Sequence, residues 1–224
     1  MALPMAATQG RGLQVRAGIQ VEVVTIAWMV IEAAVAIVAG VEARSVLLTA
    51  FGLDSVIELV SGGVLLWRLL VEARGSALER VRRAENRAAW ITGVGLVLLC
   101  VYVVMLALLA LATRTKPESS LVGIGLAIVA VLGMPLLARA KRRIALQIGS
   151  AALRGDAACS ITCAYMAGAL LVGLLLNALF GWWWADSLAA LALVYWLARE
   201  AREALESARA GRGGCCCGDD VCAS

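Results

Sequence analysis

Residues 45–67 read SVLLTAFGLDSVIELVSGGVLLW, an apolar run with two carboxylates set inside it. A crossing helix needs about 20 mostly apolar residues, so this stretch points to a helix in lipid. Asp54 and Glu58 stand four residues apart. Four residues turn an α-helix by about 400° and lift it by about 6 Å, so both acids occupy one face, one above the other. An ionisable side chain at the centre of a membrane helix costs roughly 2.5–3.5 kcal/mol on insertion scales. Such residues are functional candidates by default. The competing reading is a buried polar network with a Ser or Arg of a neighbouring helix. Against it, no Lys or Arg falls inside an apolar block to neutralise the pair.

The rest of the chain extends the same reading. Its 224 residues are 62% hydrophobic and 16% charged, and mean hydropathy is +0.88. Soluble domains are typically about 45–50% apolar and about 25% charged. A water-soluble globule and a disordered chain are both excluded, and continuous rather than alternating apolar blocks argue against a β-barrel. Six spans are expected, at about 20–40, 45–67, 88–112, 120–138, 157–180 and 182–198. The last is short before Arg199, its helix continuing as the amphipathic AREAREALESARA. Residues 1–18 hold no apolar core of a signal peptide.

Six spans put both termini on one side. If that side is cytoplasmic, 17 of the 20 basic residues lie inside and only Arg44, Arg114 and Lys116 outside. Short loops rich in Lys and Arg face the cytoplasm, which sets the orientation. Trp182, Trp183 and Trp184 then lie at the outer interface, where aromatic residues gather. The fold class expected is therefore all-α: a polytopic membrane protein with six transmembrane helices and cytoplasmic termini. Its parts are a cytoplasmic N-terminal segment (1–18), a six-helix domain (19–205) and a Cys-rich cytoplasmic tail (206–224). Basic residues that are 18 Arg and only 2 Lys suit a GC-rich bacterial genome, so the bacterial plasma (inner) membrane is the expected location. The net charge of +4 is a signal of topology rather than of nucleic-acid binding.

The chain has no histidine and seven cysteines, so imidazole chemistry is excluded and sulfur chemistry is available. The stretch DAACSITCAYMAG (156–168) carries Cys159 and Cys163 at the same spacing as the acids, again on one helical face. Two such cysteines can be small apolar filler. Paired with the acids at a similar distance from the inner surface, they offer four donors from two facing helices. That is a tetrahedral set, and mixed thiolate and carboxylate donors suit zinc or cadmium.

Weaker candidates surround this set. Glu32 lies within the first span with no partner in view, so a proton-path or gating role competes with a structural one. Glu22 lies near the cytoplasmic boundary and is expected to reach water. Asp156 and Asp186 read as acids at helix N-termini, favoured by the dipole. Cys100 reads as core filler, Pro135 as a kink in the fourth span and Asn177 as an interhelical hydrogen-bond donor. In the tail GRGGCCCGDDVCAS, Cys215, Cys216, Cys217 and Cys222, with Asp219 and Asp220, could capture a soft metal in a reducing cytoplasm. Their spacing matches no structural zinc motif, and a tail with reactive thiols and no specific role is the alternative.

On these residues the chain resembles the cation diffusion facilitators. SVLLTAFGLDSVIELVSG (45–62) resembles their second helix, whose metal site takes two acids four residues apart. ALRGDAACSITCAYMAGALLVGLL (152–175) and GWWWADSLAALALV (181–194) resemble their fifth and sixth helices, and the likeness covers about residues 19–205. The resemblance implies a secondary transporter rather than an enzyme, exporting a divalent metal, zinc in most members, in exchange for protons. Asp54 and Glu58 match the helix-two ligands. Cys159 and Cys163 fall where helix five usually supplies a His or Asp and then an Asp, a departure that favours a softer ion such as cadmium or even mercury. Family members usually carry a cytoplasmic ferredoxin-like domain, in whose place only the Cys-rich tail stands.

The expected partners are thus a divalent cation, protons and the lipid bilayer, with no resident cofactor and a homodimer left open. Metal binds deprotonated donors, so loading the site releases protons. Alternating access would rock helices three and six against the other four. Two other classes compete: a metal-sensing scaffold whose tail binds metal, and a membrane thiol oxidoreductase using Cys159 and Cys163. The second lacks a C-x-x-C motif, and cysteines four apart on a helix are poorly directed for a disulfide to each other.

Overall fold

The computed structural model describes residues 4–74, 79–148 and 150–210, and the tail cysteines Cys215, Cys216, Cys217 and Cys222 lie outside them. Six helices follow one another: α1 (Pro4–Glu42), α2 (Val46–Ala73), α3 (Glu79–Thr113), α4 (Leu121–Ile148), α5 (Ala151–Phe180) and α6 (Trp183–Arg209). Among the described residues there is no strand. Short connections make sequence neighbours antiparallel, and α1 packs on α2, α4 on α5 and α3 on α6. The chain is an all-α polytopic membrane protein.

Five helices hold stretches long and apolar enough to cross a bilayer: Gln14–Glu42, Val46–Val71, Ala89–Thr113, Leu121–Ile148 and Leu153–Phe180. The sixth expected span forms a helix but lacks such a stretch, because Asp186 and Arg199 bracket only a short apolar run. The other helices outrun their apolar blocks. α4 continues to Ile148, ten residues past the apolar span that ends at 138, as the helical reading of its basic inner loop implies, and α6 continues to Arg209, so the boundary expected at 205 falls inside a helix. Leu98, Val101, Met105, Leu132 and Leu136 face outward, a surface that suits lipid and not water.

Helix ends are made locally. α1 closes in a Schellman motif, with the Ser45 N–H donating to Gly40 O at 2.9 Å and the Arg44 N–H to Val41 O at 3.2 Å. Arg44 takes the left-handed position at φ 53°, where a glycine would be unstrained. Gly181, at φ 65°, ends α5, and its N–H donates to Asn177 O. Two other glycines let α1 and α2 approach closely. A Cβ on Gly40 would fall 2.7 Å from the Thr49 nitrogen, and one on Gly52 would fall 2.9 Å from the Ile37 nitrogen. Small residues at such seams are how membrane helices gain packing contacts.

The main core joins Leu47, Leu48 and Phe51 of α2 to Leu96 and Val103 of α3, Met166 and Leu170 of α5, and Leu193 and Leu197 of α6. Cys100 packs half-buried against it, as filler. A smaller cluster holds Met29, Met134 and Cys163, with Trp28 and Leu59 against it. α4 passes through Pro135 as one helix. Asn177 donates from Nδ2 to Pro117 O at 3.1 Å, tying α5 to the chain segment before α4.

Candidate functional site

A small cavity lies inside the bundle, and all six helices contribute to its wall. α2 supplies Glu58, and α5 supplies Cys159, Cys163 and Asp156. Lys141 comes from α4, Glu200 from α6 and Thr92 from α3. α2 and α5 run in opposite directions, so the later acid of the first meets the later cysteine of the second. The Cys163 thiol donates to Glu58, with sulfur 2.9 Å from Oε1 and 3.0 Å from Oε2. Both side chains are buried.

The two other donors expected from the sequence sit on either side of this contact. Asp54 lies one turn earlier on α2, buried, with no hydrogen-bond partner for Oδ1 among the described residues, and it is not part of the cavity wall. Cys159 lies one turn earlier on α5, in the wall, and is disulfide-bonded. Cys100 and Cys163 are free thiols, so the two α5 cysteines are not joined to each other. Among the described residues no three Cys, Asp or Glu side chains converge closely enough to hold a metal ion.

Four expectations about charge need correction. The acids are not without a basic residue: Lys141 is fully buried in the same cavity wall. The sequence places it in the basic helical extension on the cytoplasmic side, past the apolar block that ends at 138. The helix continues, and Met134, Ala138, Lys141, Ala145 and Ile148 form its buried face, at the 3–4 spacing that a buried helical stripe requires. Glu22 does not reach water; it is fully buried, 3.2 Å from Lys141 Nζ. Asp156 is more than a helix-start charge, because Lys141 pairs with it as well. Glu32 has partners: Trp28 Nε1 donates to Oε2 and Ser55 Oγ to Oε1, each at 2.7 Å. Glu32 is therefore hydrogen-bonded at both oxygens and stands outside the cavity wall.

Asp186 also does something its position in sequence hides. It stands in the first turn of α6, yet it accepts from the Ser45 hydroxyl and from the backbone N–H groups of Val46, at 3.0 Å, and Leu47, at 3.4 Å. It caps α2 rather than serving its own helix alone. The helix that carries Asp54 and Glu58 is thus held at its start by α6.

Glu200 was missed altogether. In sequence it belongs to an amphipathic extension, but only one face of that extension is wet. Arg199 pairs with Glu203 and Arg202 with Glu206 on the exposed side. Leu193, Leu197, Glu200, Ala201, Ala204 and Ala208 are buried, and the repeat of that stripe was the available signal.

Among the described residues, six carboxyl side chains are buried (Glu22, Glu32, Asp54, Glu58, Asp186 and Glu200) against one buried ammonium, Lys141. Buried charge without a counter-charge is costly, so the interior is built to receive positive charge or protons. The family model described as the cation efflux transmembrane domain matches residues 23–210, which takes in Asp54, Glu58, both α5 cysteines and Glu200. No curated protein matches the chain.

Proposed function

The chain belongs to the cation efflux family and is a membrane transporter of metal cations, and from that premise we propose that its cargo is a soft divalent ion, cadmium or zinc, exported in exchange for protons. The observation that carries this reading is the contact between Cys163 and Glu58 inside the bundle. A thiol and a carboxyl from facing helices share a proton where a cation with two positive charges can replace it. Metal loading and proton release are then the same event.

Asp54 and Cys159 lie one turn to either side of that contact and complete the donor set. Closing four donors around the ion takes a shift of α2 along α5, which makes loading and helix movement interdependent. Cys159 contributes a thiolate only when its disulfide is reduced. The thioethers of Met29 and Met134 pack beside Cys163, and a sulfur-rich surrounding favours a soft ion over a hard one.

Charge counting limits the protonation state. Four ionised donors around a divalent ion would leave two net negative charges in a low-dielectric site, so one or two donors keep their protons when the ion is bound. Acid on the far side returns protons and releases the ion. Packing of α3 mainly on α6 suits a movement in which this pair rocks against the other four helices. Outward export follows the family likeness, with the cytoplasmic side taken as the one that the basic loops face.

The test is transport by the purified chain in proteoliposomes, followed with an internal dye for cadmium or zinc. Flux driven by an opposing pH difference, and abolished in E58Q, is the expected result. Flux indifferent to the pH difference would rule out proton exchange.

A further inference from the structure

We infer that Glu200 of α6 is a further ligand to the transported cation, with the Thr92 hydroxyl of α3 as a neutral oxygen donor beside it. This rests on the transport reading above and extends its site from two helices to four.

Glu200 is 5% exposed, lines the cavity with Glu58 and Cys163, and its Oε2 has no hydrogen-bond partner among the described residues. Basic residues near it are committed elsewhere. Arg199 and Arg202 pair with Glu203 and Glu206 on the outer face, and Lys141 pairs with Glu22 and Asp156. Thr92 is 2% exposed, lines the same cavity, and its Oγ1 also lacks a partner among the described residues. Two unpartnered oxygens facing one cavity are expensive to bury. Leu193, Leu197 and Ala204 on the same stripe of α6 show what packing alone would place there.

Among the described residues these groups line one cavity without converging on one point, and a cation drawn in as the α3–α6 pair closes on α2 and α5 would satisfy them together. Glu58 and Glu200 give carboxylate oxygen, Cys163 gives sulfur and Thr92 gives hydroxyl oxygen, a donor set within the range of zinc and cadmium. Two of these donors ride on the α3–α6 pair. Affinity then differs between the state in which that pair closes on α2 and α5 and the state in which it has swung away. A ligand shifts a conformational equilibrium only through such a difference.

The experiment is calorimetric titration of the purified full-length chain, under reductant, with cadmium ion alone. Wild type, E200Q, T92V and E58Q are compared, with melting temperature as the check on folding. Removing a charged ligand should weaken cadmium binding about tenfold or more in E200Q, and removing a neutral one about two- to fivefold in T92V. The sulfur-to-cadmium absorption band should persist in E200Q, since Cys163 remains, and E200D should recover part of the affinity. Wild-type affinity in E200Q and T92V, with binding lost in E58Q, would overturn the inference and leave the transport reading standing. No cadmium binding by the wild type would overturn both. If E200Q yields no folded protein, T92V decides by the same titration, and unchanged binding counts against the inference.

Discussion

The Ser45 hydroxyl and the Asp186 carboxylate, 141 residues apart in sequence, join the starts of two helices. Through the same carboxylate the Val46 and Leu47 N–H groups at the head of α2 are satisfied. Losing a helix cap costs about 0.5–2 kcal/mol, and a buried hydrogen bond to a charged acceptor adds to that. D186A should therefore lower the melting temperature in detergent clearly, and D186N, which keeps one oxygen, should lower it less. Equal melting of D186A and wild type would show that the cap is idle.

Lys141 holds two acids from two other helices, Glu22 of α1 and Asp156 of α5. K141M removes the cation and leaves both carboxylates facing each other in the interior. Breaking a buried pair by removing one partner costs about 3–5 kcal/mol. K141M is expected to melt far below wild type, and K141M/E22Q to regain part of the loss. A double variant no better than the single would mean that Glu22 and Lys141 do not depend on each other.

Cys163 is the sulfur in direct contact with an acid of α2. C163S replaces a soft donor with a hard one of similar shape. Cadmium transport should fall more than zinc transport, shifting the ratio of the two initial rates toward zinc by about tenfold. Equal losses for both ions would show that the thiol does not set selectivity.

Removal of residues 213–224 separates the transporter from a tail-based sensor. Cadmium tolerance of cells making the shortened chain should stay close to that given by the full chain, whereas D54A should abolish it. The reverse pattern would assign the function to the tail thiols.

Much of the fold was legible because lipid imposes a simple rule on sequence. Long apolar blocks at 20–40, 45–67, 88–112, 120–138 and 157–180 each became part of a helix. The spacing of Asp54 and Glu58 also said correctly that one helix carries both, and both are buried. Hydropathy fails where a helix outlives its apolar block. Lys141 and Glu200 were assigned to wet segments because arginines surround them, although each falls on the inward stripe of its helix. Asp186 stands in the first turn of α6, as its place in the sequence implies, but its cap on α2 and the cross-helix partner of Glu32 were hidden for another reason. Ser55 lies on α2 and Ser45 just before it, and no local pattern announces a contact between separate segments; only the Trp28–Glu32 pair, four residues apart on α1, was open to a local reading.

The glycines that bring α1 and α2 together have a mechanical consequence. With Gly40 against Thr49 and Gly52 against Ile37 there is no slack along that join, and the two helices form a single stiff beam. The acid-bearing helix cannot tilt without carrying its predecessor, so any movement that admits or expels cargo falls on the sparser packing of α2 against α5 and α6.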